Sequence, residues 1–379
     1  MRFNSKCGLP AFMVGVFMML LSHDPAHAGS KSDANTDWQL GSPQEAGFDA
    51  QIIEKLEKAA LGAQFRNLHS VVIVRGGKLI AEHYYEGRDQ RRGRELGVVK
   101  FSPDHLHDLR SVSKSIVSLL YGIALEEGKV PDVDQPLINQ FPEYADLARD
   151  PERQRMLVSH ALTMQLGTQW NENLPYSDPR NSETAMDRAD DRYRFVLDQP
   201  FATQPGERWN YNGGCTALLG HMIARGARMS IFNYAREKLF DPLGIKKVEW
   251  IKGSDGIEFA ASGLRMRPRD LAKIGQMILN KGRWSDRQLV PESWLHETFT
   301  PRTHAFKDIE YGYQWWLGKR SINGKPWYAG FGNGGQRLVV IPSLHMVVVI
   351  MAGNYNQADA WQVPVAVMNE IIMPAITSE

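Results

Sequence analysis

Cysteine is scarce in this chain of 379 residues, which contains only Cys7 and Cys215. A framework of disulfides is therefore excluded, and stability has to come from the size of the core. Cys215 could be a nucleophile, but the nearest histidine, His221, would project from a different face of the helix that follows. We interpret Cys215 as a small buried residue.

An excess of charge of one sign is also lacking, because 44 Lys and Arg stand against 43 Asp and Glu. This balance provides no broad electrostatic field to steer a polyanion, so a nucleic-acid partner is disfavoured. Residues 88–94 are locally basic, but acidic residues interrupt the run. We interpret that segment as a solvated loop.

Long apolar runs are missing as well. The run at residues 9–21 follows a basic start and is shorter than the roughly 20 residues of a membrane span. Ala26-His27-Ala28 then supplies a small-x-small cleavage site. We therefore predict a signal peptide at residues 1–28, a periplasmic or secreted protein, and no stable membrane span after cleavage. An uncleaved anchor is the alternative.

An apolar content of 43% is sufficient for a large core. Residues 52–60 carry apolar side chains at helical spacing, and the β-rich runs 70–74 and 79–85 are joined by Gly76-Gly77, which suits a tight hairpin. Helical periodicity dominates residues 111–279. Short β-rich runs return at residues 311–317, 327–331, 336–341 and 346–351, followed by a final helix at 363–376.

Strands at both ends with helices between them indicate an α/β (α+β) fold. We predict one antiparallel sheet that is built from both termini and flanked by helices, with an inserted helical lobe. Residues 29–130 and 260–379 would form the sheet-containing domain, and residues 131–259 the helical domain. The cleft between sheet and lobe is the expected site of chemistry.

Ser111-Val112-Ser113-Lys114 is the S-x-x-K motif of this sequence. Apolar residues follow at helical spacing, which places Ser111 at the start of a buried helix and Lys114 one turn along on the same face. A serine hydroxyl becomes nucleophilic when a neighbour takes its proton, and a lysine can do so if desolvation or nearby positive charge keeps it neutral. The alternative is a serine cap beside a solvated lysine.

Two later segments complete the pattern. Tyr211 stands on a turn just before an apolar helix, where an adjacent lysine would stabilise its phenolate and let it shuttle protons. Residues 330–336 contain G-x-G-x-x-G, but a strand follows instead of a helix, so we reject a dinucleotide site. Glycines beside a strand instead let a substrate carbonyl approach backbone N–H groups, as an oxyanion hole requires. A tight hairpin turn is the alternative.

The ordered set of Ser111, Lys114, Tyr211 and a late glycine-rich strand resembles the serine β-lactamases and penicillin-binding DD-peptidases, closest to the class C branch with its esterases and 6-aminohexanoate-dimer hydrolases. The resemblance implies a β-lactamase/transpeptidase-like fold. It also implies an acyl-enzyme on Ser111, with Lys114 as proton acceptor and Tyr211 as base and acid. The oxyanion hole would be the backbone N–H groups of Ser111 and Asn333, or Phe331 in a shifted register.

The sequence departs from that family twice. The tyrosine motif is often Y-x-N, whereas Gly213 stands at its third position here, and the late K-T-G or H-T-G motif is replaced by Gly330-Phe331-Gly332. In β-lactam and peptide substrates the missing cation helps to hold a carboxylate. We therefore expect a small amide or ester as substrate. A DD-peptidase, a true β-lactamase and a non-catalytic penicillin-binding or cell-wall sensor remain alternatives.

Further residues near these motifs were considered for binding roles. Gly332, Tyr176 and Trp170 are predicted to contact substrate, the two aromatic residues from a polar loop. The segment from His105 to Asp108 offers possible metal ligands, but no second motif supports it, so we predict no metal and no cofactor.

Overall fold

The computed structural model describes residues 38–378 apart from positions 60 and 323. The predicted signal peptide at residues 1–28 lies outside the described residues. Within the described part, every helix is too short or too polar to cross a membrane.

Strands dominate both ends of the described chain, and helices dominate its middle. The α-helices are α1 Ile52–Ala59, α2 Val112–Glu126, α3 Pro151–Gln154, α4 Val158–Leu162, α5 Ser182–Arg188, α6 Arg192–Leu197, α7 Gly213–Ala227, α8 Ile231–Ala235, α9 Pro268–Leu279, α10 Glu292–Thr298 and α11 Gln362–Ala366. The strands are β1 Leu68–Arg75, β2 Lys78–Tyr84, β3 Glu86–Arg91, β4 Arg94–Lys100, β5 His107–Asp108, β6 Val248–Trp250, β7 Leu264–Met266, β8 Arg283–Trp284, β9 Arg287–Gln288, β10 Thr303–Phe306, β11 Ile309–Tyr311, β12 Trp316–Ile322, β13 Lys325–Gly332, β14 Gln336–Ile341 and β15 Met346–Ala352.

An eight-stranded antiparallel sheet has the order β10-β11-β12-β13-β14-β15-β1-β2. Early and late parts of the chain meet where β1 pairs with β15, for example at Val71 and Ile350. Every residue of β15 is buried, as expected for a strand covered on both faces. The predicted α/β fold with a sheet from both termini is therefore confirmed. The division into domains at residues 131 and 259 stays a prediction.

The sequence-based interpretation of residues 88–94 as a solvated loop is wrong. These residues lie in the β3–β4 hairpin, in which Asp89 is buried and accepts a hydrogen bond from the Tyr355 hydroxyl at 2.9 Å. The two strands were missed because most of their side chains are exposed or half-buried. Their charged residues therefore resemble those of a loop. The predicted strand at 311–317 is likewise divided, since Gln314 between β11 and β12 has a left-handed φ of 63°.

Gln314 joins the sheet to the helices that carry the site. Its buried amide donates to the carbonyl of Ala161 at 2.9 Å and accepts from the Thr216 hydroxyl at 2.7 Å. Its own carbonyl accepts from Ser115 on α2 at 2.9 Å. One residue between two strands therefore fixes the positions of α2, α4 and α7 relative to the sheet.

We expect Gln314→Leu to lower the free energy of unfolding by about 3 kcal/mol, because buried polar groups on α4 and α7 would lose their partners. Urea denaturation followed by tryptophan fluorescence measures this change. The matched control is Gln362→Leu on the exposed surface of α11, which should stay within about 0.5 kcal/mol of the parent. Equal effects of the two substitutions would contradict the role given to Gln314.

Candidate active site

Ser111 and Lys114 meet at the start of α2. Ser111 immediately precedes the helix, after Arg110 with a left-handed φ of 49°, and the Lys114 Nζ lies 3.0 Å from the Ser111 Oγ. The two side chains therefore share one helix face, as their spacing predicts. Lys114 is buried rather than solvated, at 1% exposure, which rejects the interpretation as a surface lysine.

Glu183 completes this chain of polar atoms, although no sequence motif pointed to it. Its Oε2 lies 3.0 Å from the Lys114 Nζ, and its Oε1 accepts a hydrogen bond from Ser262 at 2.7 Å. The Asn181 side chain caps α5 and receives the Glu183 N–H at 3.0 Å, which fixes the helix start. An asparagine is a local signal for a helix start, but the contact of Glu183 with Lys114 spans 69 positions.

The charge state of Lys114 differs from the state that the sequence argument required. Burial lowers the pKa of Lys114, but the negative charges of Glu183 and its neighbours outweigh that effect and raise the pKa above its ordinary value. The Lys114 charge in turn lowers the pKa of Glu183 against the effect of burial. The free protein thus holds a buried ammonium and carboxylate pair instead of a neutral amine.

Tyr211 reaches the same place from the turn before α7. Asn212, the next residue, caps that helix by accepting the Cys215 N–H at 3.2 Å, and Lys114 Nζ lies 5.2 Å from the centroid of the Tyr211 ring. Burial raises the pKa of the Tyr211 phenol, while Lys114 and a hydrogen bond with Ser111 oppose the rise. Hydroxyl, amine and phenol therefore converge at one site.

Two adjoining cavities open at this point. One has a volume of about 360 Å³ and the other about 260 Å³, and Ser111, Tyr176 and Asn333 line both of them. Gly332 lines the smaller cavity, where β13 passes over the start of α2 so closely that a Cβ there would lie 2.4 Å from the Leu109 carbonyl. This approach suits the predicted oxyanion hole at Ser111 and Asn333.

A second carboxylate, Glu172, lies behind the cavity wall. It accepts hydrogen bonds from the Trp170 Nε1 at 2.6 Å and from the Tyr176 hydroxyl at 2.9 Å. Burial and the charge of Glu183 raise the pKa of Glu172 to about 7. Trp170 itself is buried and is not among the lining residues of these two cavities, so its contact with substrate stays a prediction. Tyr176 does line the cavity, as predicted.

The model of the Beta-lactamase family matches residues 49–360 of this chain. The chain belongs to the Beta-lactamase family. The predicted resemblance is thereby confirmed, and the family with its hydrolase relatives makes this protein a serine hydrolase.

Individual relatives agree with this assignment. The chain is 27% identical over 300 residues to a 6-aminohexanoate-dimer hydrolase from Paenarthrobacter ureafaciens, which covers 73% of this chain and 70% of the relative. An octameric penicillin-binding protein homologue from Pyrococcus abyssi has the same fold, with a TM-score of 0.64 and 19% identity. That match covers 84% of this chain and 76% of the homologue. The fold is also that of a hydrolase with promiscuous acyltransferase activity, with a TM-score of 0.69 and 13% identity. That match covers 89% of this chain and 99% of the other protein.

The first departure from the β-lactamase pattern, Gly213, has a steric cause in this structure. A Cβ at this position would lie 2.2 Å from the Glu183 Oε2 and 3.0 Å from the Glu172 Oε1. The two carboxylates therefore occupy the space that a side chain in the Y-x-N position would need. The side-chain amide of the Y-x-N motif and the buried Glu183 carboxylate therefore exclude each other sterically.

The fold places the possible metal ligands of the segment from His105 to Asp108 in different surroundings. His107 meets His69 and Asp89 in a buried group whose ligand atoms lie within 4.8 Å of one another, whereas Asp108 binds Arg265 at 2.7 Å. The His69 Nδ1 and the His107 Nε2 lie 2.8 Å apart, the length of a hydrogen bond. Cys215 is fully buried, as its interpretation required.

We expect Glu183→Gln to lower kcat/KM for a nitrophenyl ester by about 100-fold or more, because the buried ammonium loses its carboxylate partner. Without that charge, burial lowers the pKa of Lys114, and only Tyr211 and Glu172 still oppose this effect. The residual kcat/KM should therefore rise between pH 7 and pH 9 more steeply than in the parent protein. Initial rates across this pH range measure both effects.

Asp187→Asn provides the matched control, because Asp187 lies one turn further along α5 and pairs with Arg92 instead of Lys114. We expect it to change kcat/KM by less than about tenfold. Thermal unfolding of both variants separates misfolding from a catalytic defect. A folded Glu183→Gln protein with the parental rate and pH profile would reject the coupling of Glu183 to Lys114.

Proposed function

We propose that this protein hydrolyses a small amide or ester through an acyl-enzyme on Ser111. The observation that carries the proposal is the line of polar atoms from the Ser111 Oγ to the Lys114 Nζ and on to the Glu183 Oε2, with 3.0 Å at each step. Ser111 and Glu183 line the cavity of about 360 Å³, and all three side chains are buried. A hydroxyl so placed can be deprotonated as it attacks a carbonyl carbon.

The charge states favour a relay over a simple lysine base. The Lys114 ammonium first passes one of its protons to Glu183, and the neutral amine that results takes the Ser111 proton as the Ser111 oxygen attacks. The lysine is thus charged before and after the step, and the carboxylate takes up the proton. The Ala261 carbonyl at 3.1 Å holds a third ammonium hydrogen and keeps the Nζ in line.

Tyr211 is the group that we assign to the leaving side of the reaction. Its phenol stays protonated at neutral pH, because burial raises its pKa. It can therefore donate a proton to the departing amine or alcohol and recover one from Lys114. During deacylation the phenol accepts a proton from the attacking water as it passes its own proton to the neutral Lys114 amine, and Lys114 returns a proton to Ser111 when the acyl group leaves. Glu183 then gives its proton back to Lys114. The backbone N–H groups of Ser111 and Asn333 would bind the oxyanion in both halves.

A small amide or ester fits better than a β-lactam or a D-Ala-D-Ala peptide. Gly330-Phe331-Gly332 provides no cation at the position where the family often carries one. The relative from Paenarthrobacter is named for an amide substrate, the 6-aminohexanoate dimer. We place the reaction in the periplasm or outside the cell, because residues 1–28 carry the features of a signal peptide.

A fluorophosphonate probe tests the nucleophile directly. We expect it to label the parent protein at Ser111 and to leave Ser111→Ala unlabelled, because the probe is attacked by the activated hydroxyl. Mass spectrometry of the labelled peptide measures the site. The matched control is Ser118→Ala on the same helix, where the buried Oγ has no hydrogen-bond partner within the described part of the chain, and it should label like the parent.

The same proteins decide between the candidate functions. Hydrolysis of nitrophenyl esters or linear amides with turnover supports the proposal, and Tyr211→Phe should slow it by about 100-fold or more. Preferential turnover of a cephalosporin or of a D-Ala-D-Ala peptide would replace it with a β-lactamase or a DD-peptidase. A probe-like acylation by penicillin that never turns over would indicate a sensor.

A further inference from the structure

Three side chains of types that commonly bind metals meet in the interior of the protein. His69 on β1, Asp89 on β3 and His107 on β5 are each at most 2% exposed. One ligand atom from each residue lies within 4.8 Å of the other two. The prediction of no metal considered only the segment from His105 to Asp108, whereas the fold brings His107 to two ligands from outside that segment.

The hydrogen bonds of His107 decide which of its ring nitrogens can bind a metal. Its Nδ1 lies 2.9 Å from the Asp108 carbonyl and must donate to it, because a carbonyl oxygen only accepts. In the neutral ring the Nε2 therefore carries the lone pair, and it lies 2.8 Å from the His69 Nδ1 and 3.9 Å from the Asp89 Oδ1. A histidine that binds a metal through one nitrogen usually donates its other N–H to a carbonyl or carboxylate in this way.

The charges of the group also favour a cation. Burial lowers the pKa of His69 to about 2 and lowers the pKa of His107 as well, so both rings are in the neutral form that binds metals. The Asp89 Oδ1 accepts from the Tyr355 hydroxyl at 2.9 Å. The Asp89 Oδ2 and the His69 Nε2 have no hydrogen-bond partner among the described residues. A bound cation would compensate the charge of this buried carboxylate, which is otherwise costly to bury.

Neighbouring residues hold the His69 ring in one position. The Phe101 ring stacks on it with centroids 4.1 Å apart. Two glycines leave just enough room for the imidazole, because a Cβ at Gly87 would lie 2.8 Å from the His69 Nε2 and a Cβ at Gly353 would lie 2.5 Å from the His69 Cε1. A ligand that is already fixed loses little side-chain freedom when a metal binds.

The distances between the ligand atoms suit a small divalent cation. A tetrahedral zinc ion, with nitrogen and oxygen ligands at about 2.0–2.1 Å, keeps those ligand atoms about 3.3 Å apart. The 2.8 Å from His69 Nδ1 to His107 Nε2 and the 3.9 Å from His107 Nε2 to Asp89 Oδ1 lie on either side of that value. Shifts of about half an ångström would complete the geometry. The Tyr355 hydroxyl or a water molecule would be the fourth ligand.

We propose that His69, Asp89 and His107 form a buried zinc site that stabilises the fold. Imidazole and carboxylate are ligands that zinc prefers, and a buried site suits a structural ion. The ion would join β1, β3 and β5, and β5 leads into the turn that carries Ser111. It would also fix the β3–β4 hairpin, which lines the cavity of about 360 Å³. This inference is independent of the proposed function, because the ligands are distinct from the catalytic residues.

The zinc content of the purified protein tests the proposal. The chain is expressed without a histidine tag in medium supplemented with zinc sulfate and is then dialysed, so that the ion can enter during folding. Inductively coupled plasma mass spectrometry should find about one zinc per chain in the parent protein. Asp89→Asn and His107→Gln each remove one ligand and should hold less than about a tenth of that amount.

His105→Gln is the matched control. His105 lies two positions before His107 and contacts the Phe101 ring edge-on at 4.9 Å, but it is not one of the three ligands. This variant should keep the zinc content of the parent. A parent protein with less than about 0.1 zinc per chain would overturn the proposal. So would a parental content in Asp89→Asn, or an equal loss in His105→Gln.

Thermal unfolding provides a second measurement that does not depend on catalysis. Zinc sulfate added to the chelator-treated parent should raise Tm by at least about 3 °C, because the ion binds the folded state. Ser111→Ala should show the same rise, so the zinc site stands even if the acyl-enzyme proposal fails. Asp89→Asn that still unfolds cooperatively should show no rise. A rise equal to that of the parent in this variant would reject the site.

Discussion

The ion pair between Lys114 and Glu183 is the interaction on which the rest of the site depends. The two charged side chains are only 1% and 2% exposed, so removing them from water costs free energy. Their mutual attraction offsets that cost only with good geometry and further hydrogen bonds. Those bonds come from Ser111, Ser262 and the Ala261 carbonyl. The start of α2, the start of α5 and the segment before β7 therefore have to meet at one point.

That requirement links the helices to the sheet. Gln314 connects α2, α4 and α7 to the break between β11 and β12, and β13 passes against the start of α2 near Gly332. The nucleophile, the phenol and the glycine-rich strand come from distant parts of the chain. The sheet brings the first and last of these together because β1, which precedes the nucleophile in the chain, pairs with β15, which follows the glycine-rich strand.

Local patterns in the sequence were sufficient for much of this arrangement. The period of an α-helix places Ser111 and Lys114 on one face, and β-rich runs around Gly76-Gly77 gave the first hairpin. Glu183 could not be selected in this way, because its partner lies 69 positions away and no local spacing encodes that contact. The position of Arg337 in the wall of the smaller cavity could not be predicted from local spacing either, because it follows from the pairing of β13 with β14.

The close approach of Gly213 to Glu183 also restricts how this chain could change over evolution. A side chain at 213 and a carboxylate at 183 would occupy the same volume, so replacing either residue singly gives a collision or an unpaired lysine. A route to a Y-x-N protein would pass through the loss of the acid before the gain of the amide. The two positions are thus sterically coupled, and exchange between the two arrangements requires substitutions at both.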